Sequence, residues 1–249
     1  MSQLSDGQPI GVVGDHPAVG PAVEAAGGEV HAGAPAAVLA QSPEAVVAVG
    51  ERALFDLVAA AADVPVLPVA AGRGVRSVPT RAVERAVSQL VAGAFERVTL
   101  PVLAARGDAL TARALTDLML VTEEAARISE YAVWTGDEHV ATFRADGIVV
   151  ATPAGSGGYA RAAGGPVLAP DTGVVSVVPV APFATDASHW VLPHDDLHLR
   201  VERDETPVEL LADGRRAGLV THRETVRIAP DGTLTLAVTD ASAAHFPPE

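Results

Sequence analysis

Over the first third of the chain, short runs of β-branched residues alternate with alanine-rich stretches. Ile10–Val13, Glu29–His31, Ala45–Val49 and Val64–Val69 read as strands. Pro17–Ala26, Ala53–Ala62 and Thr80–Ala94 read as helices, the last with Val83, Ala86, Val87, Leu90 and Val91 on one face. Strands alternating with helices predict a parallel sheet flanked by helices. From about Glu96 the texture changes. Arg97–Ala104, Leu118–Thr122, Ser129–Trp134, His139–Phe143, Gly147–Thr152, Val174–Val180, His198–Glu202, Thr206–Leu211, Thr225–Ile228 and Thr233–Val238 read as short strands separated by Gly, Asp or Pro turns. Many closely spaced strands with little helix predict a β-sandwich or a β-prism-like domain. The expectation is therefore an α/β protein: a small N-terminal α/β domain over 1–94, then a β-rich domain over 95–249.

Composition narrows the function classes. Hydrophobic residues make up 49%, enough for a packed core. No apolar run approaches the roughly 18 residues that span a bilayer. The opening MSQLSDGQPI has neither a basic region nor an apolar one, so a cytoplasmic location is expected. Without cysteine there is no disulfide framework and no thiolate chemistry. Lys+Arg total 17 against 31 Asp+Glu, a formal net charge of −14, and every one of those basic residues is arginine. A field of that sign repels phosphate backbones, which speaks against nucleic acid as the main partner. Missing lysine fits a GC-rich genome or a salt-loving cytoplasm, and the accompanying acid excess favours the halophilic reading. It also excludes any P-loop lysine or Schiff-base mechanism.

The stretch from Arg144 to Pro166 carries the most chemistry. A buried strand, Ile148–Ala151, runs into Thr152-Pro153 and then a glycine-rich loop. Gly155, Gly157 and Gly158 let the backbone approach a ligand and aim N–H groups at its oxygens. A helix over Gly158–Ala163 would add its dipole. Asp146 stands at the strand entrance as an acceptor, and Tyr159 could stack on a base. By itself such a loop is a weak signal, compatible with an ordinary strand–turn–helix of small residues.

The stretch resembles the NAD kinase segment D-G-x-x-x-x-T-P-x-G-S-x-x-Y-x-x-x-x-G-G-P, matching it at Asp146, Gly147, Thr152, Pro153, Gly155, Ser156, Tyr159, Gly164, Gly165 and Pro166. Downstream, Val177–Pro193 is similar to the family's strand, proline and LVLP pattern. Upstream, Ala114-Leu-Thr-Asp117 stands where the family has A-L-N followed by an acid. The resemblance covers about four-fifths of the chain, most securely Arg113–Pro193. It implies an NAD kinase-like fold, a Rossmann-like α/β domain followed by a β-rich domain, and a dinucleotide ligand, NAD or NADP. Arg144, Asp146, Gly157, Gly158, Tyr159 and Ala162 would line that ligand. Asp117 would be the acidic member of the pair, with Thr116 in place of the asparagine. Ala181 matches a position contributed by a neighbouring subunit, so a homo-oligomer, dimer or tetramer, is implied. Ala154, Gly157 and Gly158 replace side chains that in the family are more often Thr or Ser, Thr, and Ala.

The largest departure is in the first domain. Where NAD kinases carry G-G-D-G-T, this chain has Val49-Gly50-Glu51-Arg52-Ala53. Gly50 survives, Glu51 replaces the aspartate base, and Arg52 stands where the family has no side chain. The extra methylene moves the carboxylate by about an ångström, which can cost roughly 10²-fold in rate. Arg52 could clamp phosphate or fill the pocket. The next family motif is eroded to Pro68–Gly74. Two readings follow. One is ATP-dependent phosphorylation of NAD at the adenosine ribose 2′-hydroxyl, with Mg²⁺ on the triphosphate and Glu51 as base. The other is a catalytically impaired protein that binds NAD or NADP and regulates. A lipid kinase of the same superfamily suits the loop poorly. Outside it, Pro193–His198 offers His194, Asp196 and His198, which in a strand would share a solvated face, and a metal site there is disfavoured.

Overall fold

The computed structural model describes residues 7–72, 74–124, 127–184, 188–203 and 206–246. The chain forms two compact units, one from the segment up to Leu100 together with that from Thr233, the other from Pro101–Gly232. The division falls a little after residue 94, and the end of the chain returns to the first unit. That return is carried by β15 (Thr225–Val238), whose second half buries Leu234, Leu236, Ala237 and Val238.

The first unit is a parallel sheet in the order β15, β4 (Val66–Val69), β3 (Ala45–Val49), β1 (Pro9–Val13), β2 (Glu29–Ala32). Every residue of β4 and all but the last of β3 are buried, the continuous apolar run expected of a strand covered on both faces. Helices α1 (Val19–Ala25) and α4 (Val83–Val91) share one core with Ile10, Val47 and Leu67. Helix α3 (Glu51–Ala59) buries Leu54 and Leu57. The predicted strands and helices are all present, and α2 (Pro35–Leu39), a single turn and a half with proline in its first turn, is additional.

The second unit is β-rich. Its strands are the end of β5 (Glu96–Arg106), β6 (Thr111–Ala114), β7 (Asp117–Thr122), β8 (Ser129–Thr135), β9 (Glu138–Ala151), β10 (Val174–Pro182), β11 (Trp190–Pro193), β12 (Leu197–Arg203), β13 (Val208–Ala212), β14 (Arg215–Val220) and the start of β15. Strand β9 organises them. Its first half pairs with β8, its second half with β7, and β10 runs along its other edge. From it one branch continues through β7, β13 and β14, another through β8, β12 and β15. Leu118 and Leu210 of the first branch, with Ile148 of β9 and Val177 of β10, meet Tyr131, Val133, Leu199 and Ile228 of the second in one core, which gives the expected sandwich. Two predicted strands, His139–Phe143 and Gly147–Thr152, are a single strand here. At the join Asp146-Gly147 stays extended, and Gly147 lies so near the paired strand that a Cβ there would fall 2.6 Å from Leu120 O.

One buried carboxylate ties two turns of this unit together. Glu224 accepts hydrogen bonds from Asp108 N (2.7 Å), Thr221 N (2.8 Å) and the Thr221 hydroxyl (2.9 Å). Burial works to raise its pKa, but those bonds outweigh it and hold it below the ordinary 4.5. Glu224→Ala should therefore lower stability by about 2–3 kcal/mol at neutral pH. A depressed pKa contributes stability above the unfolded value that is lost as pH falls, so the gap should shrink below pH 4.5. Urea melts at several pH values check this, and a pH-independent gap would contradict it.

Candidate functional site

In the second unit, the candidate loop follows β9 and is packed against the start of β7. Thr152 donates from its amide to Thr116 O (2.9 Å) and from its hydroxyl to Leu115 O (2.6 Å). A Cβ on Gly155 would lie 2.1 Å from Thr116 O, so glycine is required there. Ser156, fully buried, donates to Pro153 O (2.9 Å) and accepts from Leu168 N (2.9 Å). A Cβ on Gly165 would lie 2.7 Å from Val178 Cγ2. Thr152, Gly155, Ser156 and Gly165 thus close the loop upon itself, and none is turned outward. The outward residues are Gly157, Gly158, Arg161, Ala162 and Tyr159, whose ring is 49% exposed. Helix α5 (Tyr159–Ala162) is one turn only, shorter than expected, so its dipole adds little.

Thr116 and Asp117 sit directly beside this loop, with Asp117 paired to Ala151 across β7 and β9. Burial and then the charge of Asp213 raise the Asp117 carboxyl to about 6. Asp213, in the β13–β14 turn, was not a candidate on sequence. Ala212-Asp213-Gly214 has the form of a solvent-facing hairpin turn, yet Asp213 is only 6% exposed. Its Oδ1 accepts from Thr116 N (2.7 Å) and the Thr116 hydroxyl (2.6 Å).

Asp146 lies further up β9, where its carbonyl accepts from the hydroxyls of Thr122 and Tyr131, both at 3.3 Å. These two anchors also went unread, since Tyr131 is buried inside a strand run. Arg144 stands over the exposed Phe183 ring, 5.5 Å from its centroid, and Phe183 N donates to Arg144 O (2.9 Å). Ala181 is exposed at the end of β10 with a left-handed φ of 46°, a strained conformation for alanine. The His194 segment is a bend between β11 and β12, so it forms no continuous strand face. His198 Nε2 pairs with Asp196 Oδ1 at 2.7 Å. Among the described residues no group of three His, Cys, Asp or Glu could hold a metal ion.

The first unit holds the other candidates at the carboxyl ends of its parallel strands, where α/β sheets bind ligands. Gly50 follows β3 with φ 85°, and Glu51 and Arg52 open α3. The Glu51 carboxylate lies over Gly72, where a Cβ would fall 2.0 Å from Oε1, so the loops after β3 and β4 touch at this carboxylate. The Arg52 side chain is 92% exposed, with Asp56 one turn away at 3.9 Å, so it reaches outward and does not fill a pocket. Beside Gly72 a cleft of about 520 Å³ is lined by Ala70, Ser77, Pro79, Arg81 and Ser242. No helix among the described residues is long and apolar enough to cross a membrane.

The fold is NAD kinase-like. An NAD kinase from Archaeoglobus fulgidus in complex with ATP superposes with a TM-score of 0.79 at 21% identity, covering 93% of this chain and 94% of that one. Yeast NADH kinase complexed with NADH gives 0.76 at 14% identity, over 95% and 85%. Residues 115–231 match the ATP-NAD kinase C-terminal domain. The NAD kinase of Methanosarcina barkeri is 33% identical over 116 residues, 46% of this chain and 42% of that protein. That of Gemmatimonas aurantiaca is 37% identical over 123 residues, 48% and 42%. The chain thus matches about two-fifths of the length of these curated relatives.

Asp117 should be an unfavourable residue for stability. An acid whose folded pKa is raised contributes stability fully below the unfolded value, 3.8, and loses it as pH rises through about 6. Asp117→Asn should therefore raise stability at pH 8 by on the order of 1–3 kcal/mol, with the gain fading below 3.8. Thermal melts of both proteins across that range are the check, and a destabilised variant at pH 8 would refute it.

Proposed function

We propose that the chain is an NAD kinase, transferring a phosphoryl group from ATP to the 2′-hydroxyl of the adenosine ribose of NAD. The observation that carries this reading is the buried seam between Thr116-Asp117 and the loop Thr152–Ser156. It lies inside the stretch that matches the family domain, and it spends the matched Thr and Ser on holding an outward-facing glycine turn. In this reading Tyr159, Gly157, Gly158 and Ala162 line the dinucleotide, with Arg144 and Asp146 further along β9. Asp117 and Thr116 take its donor groups. Gly50 lets the chain approach the phosphates, Glu51 accepts the proton of the attacking hydroxyl, and Arg52 meets the phosphoryl group being transferred. Mg²⁺ would arrive on the triphosphate.

The same reading covers setting and assembly. The acid excess suits a salt-rich cytoplasm, where dissolved salt screens repulsion between carboxylates. Exposed Ala181 and Phe183 suit a neighbouring subunit closing the ligand site, so light scattering in molar KCl should give at least a dimer.

The decisive assay supplies NAD, ATP and Mg²⁺ in molar KCl and follows NADP formation through a salt-tolerant dehydrogenase, with polyphosphate as a second donor. Turnover is expected, with Glu51→Gln reducing kcat at least about 10²-fold while NAD affinity stays within twofold. Dinucleotide binding without turnover from either donor would make the protein a binding homologue and sink the kinase reading.

A further inference from the structure

The Leu115-Thr116-Asp117 segment is held by a single carboxylate from a distant part of the chain. Asp213 Oδ1 accepts from Thr116 N (2.7 Å), the Thr116 hydroxyl (2.6 Å), Leu115 N (3.1 Å) and Asp117 N (3.3 Å), and Oδ2 accepts from Leu115 N (3.0 Å). The grip is reciprocal, since Asp213 N donates to Asp117 O (2.9 Å). Asp213 and Gly214 both have left-handed φ, 49° and 70°, as a two-residue hairpin turn of the mirror type requires. The turn therefore aims the carboxylate inward by its own backbone geometry, and 6% exposure leaves it no solvent to bond instead.

The consequence is chemical. A hydroxyl has one hydrogen, and that of Thr116 goes to Asp213. Toward a ligand Thr116 then offers only lone pairs. Asp117 beside it, when ionised, offers only acceptors as well. We infer that Asp213 is a positioning residue of the proposed dinucleotide site, fixing Thr116 and Asp117 as a paired acceptor that takes ligand hydroxyl or amino groups and turns away phosphate. This rests on the reading of the site as a dinucleotide site. It also accounts for the loss of the family's asparagine: an amide would present donor and acceptor together, whereas Thr116 held by Asp213 presents acceptor alone.

The test has two readouts on the full chain in molar KCl. The first is the carboxyl ¹³C titration of Asp117 in wild type and Asp213→Asn. The asparagine keeps the turn, which tolerates it, but removes the neighbouring charge. The Asp117 midpoint should fall from about 6 toward 3.8, by roughly half a unit to one unit. An unmoved midpoint overturns the inference whether or not any dinucleotide binds. The second is NAD affinity by calorimetry. Asp213→Ala should weaken it about tenfold or more, and Asp213→Asn should recover part of that loss while inorganic phosphate binds neither protein. Equal affinity of wild type and Asp213→Ala would also overturn the inference. A wild type that binds neither NAD nor NADP while the titration shifts defeats the dinucleotide reading alone.

Discussion

Between the start of β7 and the loop after β9 there is no space for a side chain. A Cβ on Gly155 would sit 2.1 Å from Thr116 O, and Thr152 closes the same seam with its amide and hydroxyl on the carbonyls of Thr116 and Leu115. Those carbonyls are thereby used up from one side. The amides of Leu115, Thr116 and Asp117 are used up from the other, by Asp213. A backbone saturated on both sides cannot shift to suit a ligand, so the segment is preorganised before anything binds. What stays available is the Asp117 carboxyl and the outer face of the glycine turn. The rest of the second unit, including the branching of its strands around β9, serves to bring these distant pieces of sequence into one seam.

Much of this was legible in the sequence, for identifiable reasons. Strands β3 and β4 are apolar throughout because both faces are covered, and Ala45–Val49 and Val64–Val69 announce that directly. The loop could be read because its residues lie close together in sequence, Gly155, Ser156 and Gly165 within one short stretch, although Gly155 is constrained by the distant Thr116 O. Asp213 could not. Its meaning lies about a hundred positions away, with Leu115 and Thr116, and its own surroundings, Ala-Asp-Gly, are those of any exposed hairpin. The break expected between His139–Phe143 and Gly147–Thr152 is absent, because one strand runs through both with Gly147 set closely against Leu120. Strands β6, β11 and β14, which run along sheet edges, are short and weakly patterned, so pairing more than periodicity defines them.

The first unit shows how far a rewritten loop can keep its geometry. Gly50 retains a left-handed φ of 85° after β3, so the chain still turns sharply into α3. Glu51 reaches across to the loop after β4, where Gly72 holds a left-handed φ of 80° that favours glycine. Arg52, by contrast, is nearly free of neighbours, and its ion pair with Asp56 at 3.9 Å is too exposed to fix it. A guanidinium left mobile at the start of a helix is placed against the helix dipole, which disfavours it until an anion is present.

The same logic applies to the acidic pair, and salt sharpens it. With a net charge of −14, repulsion between exposed carboxylates is relieved by dissolved ions, whose screening length in molar salt is roughly 3 Å. Asp117 and Asp213 gain less from that relief, because Asp213 is only 6% exposed and buried charges are screened less than surface ones. The raised pKa of Asp117, about 6, comes first from burial and then from the charge of Asp213. A chain that can place carboxylates freely on its surface has no need of this one for solubility. Neutralising Asp117 would make the fold easier to keep, so an ionised acceptor is held there at a cost in stability. In the dinucleotide reading, a ligand hydroxyl donating to that carboxylate favours its ionised form and offsets part of the cost of burying it.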